Sequence, residues 1–110
     1  MKKFLFLMLL AATPAFAHAH LKSSVPAANA RVKSPGQIKL VFSETLEPAF
    51  SGAELSDAAG KTVPVSRAVG GDSISLMPLT LKPGAYKVSW HSVGQDTHRL
   101  SGSFAFTVIP

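Results

Sequence analysis

The chain has 110 residues, a formal net charge of +5 from 11 Lys+Arg against 6 Asp+Glu, and no cysteine. That length supports one hydrophobic core and not two. The basic residues are scattered singly and not interleaved with aromatics, which excludes an ordinary nucleic-acid surface. Without thiols there can be no disulfide and no thiolate-held metal, so any metal ligands must come from His, Asp, Glu, Met or a free amine.

The chain opens with the pattern of an export leader. Lys2 and Lys3 give a positive start, and residues 4–12 form an apolar run too short to span a bilayer. Thr13 and Pro14 break that run ahead of Ala15-Phe16-Ala17, a small-x-small cleavage site. The alternative is an uncleaved anchor, but no stop-transfer pattern follows. Cleavage after Ala17 makes residues 1–17 a leader and residues 18–110 one domain beginning at His18. Without Lys2 and Lys3 the charge excess falls from five to three. Ala17-His18-Ala19 is a second small-x-small pattern, and cutting there would begin the chain at His20.

From residue 20 onward the sequence alternates in period two between Pro and Gly punctuation. Strands are predicted near 20–25, 37–43, 50–56, 62–66, 73–77, 84–93 and 101–109. Ile38, Leu40 and Phe42 define one apolar face, as do Tyr86, Val88 and Trp90, and then Phe104, Phe106 and Val108. Pro35-Gly36, Ala59-Gly60, Gly70-Gly71 and Pro83-Gly84 supply turns. Helical periodicity is absent. About seven antiparallel strands at this spacing predict an all-β, Ig-like Greek-key sandwich. Tyr86 and Trp90 are expected in its core, each needing one polar partner.

Two elements carry chemistry. A terminal His18 offers a metal its α-amine and ring Nδ1 together. Asp96-Thr97-His98 places a carboxylate and an imidazole two residues apart. At about 3.3 Å rise per residue, positions i and i+2 of an extended segment project from one face. The expected ligand set is the His18 amine, His18 Nδ1, one His98 nitrogen and an Asp96 oxygen. Three nitrogens and one oxygen near a plane suit Cu(II), which also heads the divalent affinity order. The α-amine loses its proton to a metal more readily than lysine does, with a reference pKa of about 7.7–8.0. An Asp-x-His alone is a weak signal, since such pairs arise by chance in solvated loops.

The same chain resembles the CopC family of periplasmic copper-binding proteins, including its YobA-like members. The resemblance runs through His18-Ala19-His20-Leu21, Val25-Pro26-Ala27-Ala28-Asn29-Ala30, Leu40-Val41-Phe42-Ser43-Glu44 and Phe50-Ser51-Gly52-Ala53. It continues through Leu81-Lys82-Pro83-Gly84, Tyr86 to Trp90, Asp96-Thr97-His98 and Gly102-Ser103-Phe104. It implies an Ig-like sandwich and a Cu(II) site, one ion per chain, on His18, Asp96 and His98. It also implies periplasmic localisation, a role in copper homeostasis or resistance, and delivery to a CopD-like inner-membrane transporter. Independently of the resemblance, a monomer is simply the default expectation for the oligomeric state. Glu44, in the family's Phe-Ser-Glu segment, is placed near the site. It is either a support for a ligand imidazole or an ordinary strand-end carboxylate. The methionine-rich Cu(I) segment of some members is missing: beyond the leader only Met77 remains, expected in the core, so no tight Cu(I) site is expected.

Other histidines offer rival readings. His20 is third in the mature chain, and the amine, two amides and a third-position imidazole form a square-planar chelate without any fold. His91 follows Trp90 on the opposite face, as a surface residue or a support for the site. Three functions compete. The first is a non-catalytic Cu(II) carrier or buffer. The second is a copper monooxygenase, which also uses a terminal histidine but with no coordinating carboxylate and with exposed aromatics; here the aromatics are expected to alternate inward. The third is a metal-independent interaction module.

Overall fold

A computed structural model describes residues 18–110 of the chain. Lys2, Lys3, the apolar run 4–12 and the cleavage site at 15–17 lie outside the described residues. Nine strands follow in order: β1 (Leu21–Val25), β2 (Arg31–Val32), β3 (Ile38–Phe42), β4 (Gly52–Asp57), β5 (Thr62–Val63), β6 (Val65–Gly70), β7 (Ser73–Pro78), β8 (Gly84–Val93) and β9 (Arg99–Val108). No α-helix occurs among the described residues, and no helix there is long and apolar enough to cross a membrane.

The strands form two facing sheets, ordered β1-β3-β7-β6 and β2-β9-β8-β4-β5. The chain is thus the all-β, Ig-like sandwich that the alternation predicts, and all seven expected strands are present. Two details depart from the expectation. The segment expected at 62–66 is divided at Pro64, which has no N–H to give to a ladder. β5 pairs with β4 in one sheet, and β6 pairs with β7 in the other. The second departure is β2, a two-residue strand running parallel to the end of β9. Every other pairing is antiparallel.

The core lies between the sheets and is built by the predicted alternation. Ile38, Leu40 and Phe42 face Leu55, Val88, Phe106 and Val108, all essentially inaccessible to solvent. Tyr86 is buried and its hydroxyl donates to Lys82 O over 2.8 Å, which satisfies its polar end. Trp90 is half-buried and meets Phe42 edge-on, with ring centroids 5.3 Å apart. The indole lies directly over Gly102 of β9, where a Cβ would come within 2.6 Å of Cζ2. Only glycine permits that approach.

Two apolar side chains sit elsewhere than expected. Met77 is not core: it is 36% exposed, because its position in β7 alternates with the inward Ile74 and Leu76. Phe50 is 65% exposed in a 3₁₀ turn at Pro48–Phe50, outside any strand, so not every aromatic points inward.

Candidate metal centre

The long β8–β9 hairpin and the segment leading into β1 meet at one end of the sandwich. Ala19 is fully buried there, and its carbonyl accepts a 2.6 Å hydrogen bond from the buried Ser92 of β8. This anchors the adjacent His18 beside the β8–β9 turn.

The turn itself aims the other two residues. Asp96 and His98 are not in a strand, contrary to the pleat argument; they flank Thr97 in the loop between β8 and β9. Thr97 has φ +66°, a left-handed conformation rare for a β-branched residue. Its N–H donates to Gly94 O over 3.0 Å, closing the turn. Asp96 Oδ1 accepts from the His98 backbone N–H over 3.2 Å. That bond occupies one carboxylate oxygen and directs Oδ2 toward both imidazoles.

Asp96 Oδ2 lies 2.8 Å from His18 Nδ1 and 3.3 Å from His98 Nδ1. The ligand atoms of His18, Asp96 and His98 all fall within 4.8 Å of one another. The His18 and His98 rings have centroids 5.0 Å apart. His18 Nδ1 is shut off from solvent and has no hydrogen-bond partner, even though Oδ2 is so near. The two atoms are close but not aligned as donor and acceptor. Two ligands at about 2.0–2.1 Å from one ion and at right angles to each other lie about 2.9 Å apart. The observed separations suit lone pairs converging on a shared cation, and an orphaned buried nitrogen is otherwise costly. Asp96 is the least exposed of the three side chains at 18%, whereas His98 is 69% exposed, so the cluster opens to solvent on the His98 side.

The other sequence candidates fall outside the cluster. Glu44 is half-buried just after β3, and both imidazole–carboxylate contacts at this end go to Asp96 instead. His20 is exposed, with its ring centroid 6.0 Å from that of His18. Its N–H donates to Ser43 Oγ over 2.9 Å. His91 is half-buried on the outer face of β8, beside Arg99 and Arg67. An open groove of about 690 Å³ runs from His91 past Phe50 and Arg99 to Thr97. The sequence reading missed Ser43, Ser92 and the left-handed Thr97. Only Ser92 left a signal, as a polar residue at an inward position of a strand.

The two sheets make a sandwich that carries, at one end, a His–Asp–His cluster able to hold a metal ion. The chain belongs to the CopC domain family, whose model matches residues 21–109. Asp96 and His98 fall within that span and His18 precedes it. The chain is 42% identical over 99 residues to Protein YobA of Escherichia coli strain K12, covering 84% of this chain and 80% of that protein. It is 41% identical over 105 residues to copper resistance protein C of Escherichia coli, covering 86% and 83%. Among solved structures it is similar to PcoC, a methionine-rich copper resistance protein from Escherichia coli. That match has a TM-score of 0.80 and 40% identity, covering 84% of this chain and 100% of that one.

Proposed function

We propose that the chain, after cleavage behind Ala17, is a periplasmic Cu(II)-binding protein of copper homeostasis or resistance, acting as a carrier or buffer. The observation that carries this reading is the convergence of His18 Nδ1, Asp96 Oδ2 and His98 on one point. The copper-resistance names of the similar proteins support the choice of metal. In the full-length chain His18 N is an amide. Removing the leader turns it into a primary amine, the fourth donor beside His18 Nδ1, His98 and Asp96. One Cu(II) per chain is held, and a CopD-like membrane transporter is its receiving partner. PcoC is a methionine-rich copper resistance protein, whereas this chain keeps only Met77 beyond residue 17, on the surface of β7. Cu(II) and not Cu(I) is therefore the cargo.

A carrier fits the donor set better than an oxidase. A carboxylate in the plane of the metal takes a position that oxygen activation needs open. The solvent-facing His98 offers an edge from which a partner can withdraw the ion. Equilibrium dialysis of the processed protein against Cu(II) tests this reading. One ion per chain is expected for the wild type, with a large loss of affinity for His98→Ala. Equal affinity in both proteins refutes the assignment.

A further inference from the structure

Each of the three residues leading from His18 into β1 is held at its carbonyl. Ser43 Oγ donates to His18 O over 3.1 Å, Ser92 Oγ to Ala19 O over 2.6 Å, and Ser43 N to His20 O over 2.8 Å. Ser43 Oγ also accepts from His20 N over 2.9 Å. The two serines come from opposite sheets: Ser43 directly follows β3, and Ser92 is the next-to-last residue of β8. Ser92 is fully buried, two residues after Trp90, where the alternation calls for an apolar side chain. A buried hydroxyl is unfavourable unless bonded, and the partner it has is the backbone next to His18.

We propose that Ser43 and Ser92 are positioning residues that decide which of two copper chelates the terminus forms; this rests on the functional reading above. A chain beginning His-Ala-His offers Cu(II) two square-planar arrangements. In one, the amine and Nδ1 of His18 are completed by Asp96 and His98. In the other, the amine, the amide nitrogens of Ala19 and His20, and the His20 imidazole surround the ion. The second arrangement releases two amide protons to solvent for each ion bound. It needs the His20 nitrogen that now donates to Ser43. It also needs the Ala19 peptides to turn about the metal, against the Ser92 bond and the burial of the Ala19 methyl. The clamp keeps the backbone nitrogens out of the metal plane and leaves the site to Asp96 and His98.

The test uses processed protein with one equivalent of Cu(II), followed by EPR and visible absorption. The variants are Ser43→Ala, Ser92→Ala and the double variant, each with and without His98→Ala. The wild type is expected to give a three-nitrogen, one-oxygen signature, and His98→Ala to weaken copper binding by more than about a hundredfold. The double variant is expected to give a four-nitrogen signature with its d–d band at higher energy. That signal should ignore His98→Ala and vanish with His20→Ala. Ser43→Thr keeps the hydroxyl and should keep the wild-type spectrum. A folded double variant with the wild-type spectrum and full dependence on His98 overturns the proposal while leaving the ligand assignment intact. A wild type indifferent to His98→Ala overturns the ligand assignment itself, and the clamp with it. If Ser92→Ala fails to fold, Ser43→Ala alone decides: a partial shift toward the four-nitrogen form supports the clamp, and an unshifted spectrum refutes it.

Discussion

His98 and His91 lie on either side of one end of β8, yet their surroundings differ in sign. His98 shares the Asp96 carboxylate with His18, and all three side chains crowd one point. His91 rests on the bare backbone of Gly52, where a Cβ would come within 3.3 Å of its Cε1. Burial lowers its pKa below the ordinary 6.5, the charges of Arg99 and Arg67 lower it further, and Glu54 opposes them. An environment that disfavours a proton through nearby positive charge disfavours a metal cation for the same reason. Residue type alone gives both histidines equal standing as ligands. Their neighbours separate them: the Asp96 carboxylate beside His98, and burial together with two arginines at His91.

The largest expected effect contrasts the two regions directly. His98→Ala or Asp96→Ala should weaken Cu(II) binding by more than about a hundredfold, beyond the range lost when a supporting residue is removed. His91→Ala should change it by less than about threefold. A competition titration with a chelator of known affinity measures both. Equal losses at His91 and His98 would break the comparison.

Acid should separate the regions a second time. At the metal end, the amine and imidazoles must be unprotonated to bind, so copper should be released steeply below about pH 6. Binding that stays flat down to pH 4 would exclude this ligand set. At His91 the quantity that changes is the stability of the fold. A histidine with a lowered pKa binds fewer protons folded than unfolded, so its contribution is present above pH 6.5 and is lost as pH falls through the lowered folded value. Urea midpoints of the metal-free protein should therefore decline less with acid in His91→Gln than in the wild type. The effect should be small, because the ring is only half-buried.

Much of this was legible in the residues. The alternation of Tyr86, Val88 and Trp90 located β8, whose observed bounds are Gly84–Val93. His18, Asp96 and His98 were legible as candidates because a terminal histidine and an Asp-x-His pair are both local patterns. The means by which they meet was not. It depends on a left-handed Thr97 that no propensity favours, and on serines from two sheets that meet the N-terminal segment across 25 and 73 residues of sequence. The switch of sheet at Pro64 was half legible: proline marks a break in a ladder, but not where the chain goes next. The exposure of Phe50 and Met77 was hidden for the same reason, since an apolar residue type does not state which face its position occupies.

The central claim is that removing the leader creates the chelator at His18. The most direct measurement is the EPR spectrum of processed protein with one equivalent of Cu(II), compared with the same protein whose terminal amine has been acetylated. Loss of the three-nitrogen signal and a large drop in affinity on acetylation are predicted. An unchanged spectrum at unchanged affinity would contradict the account.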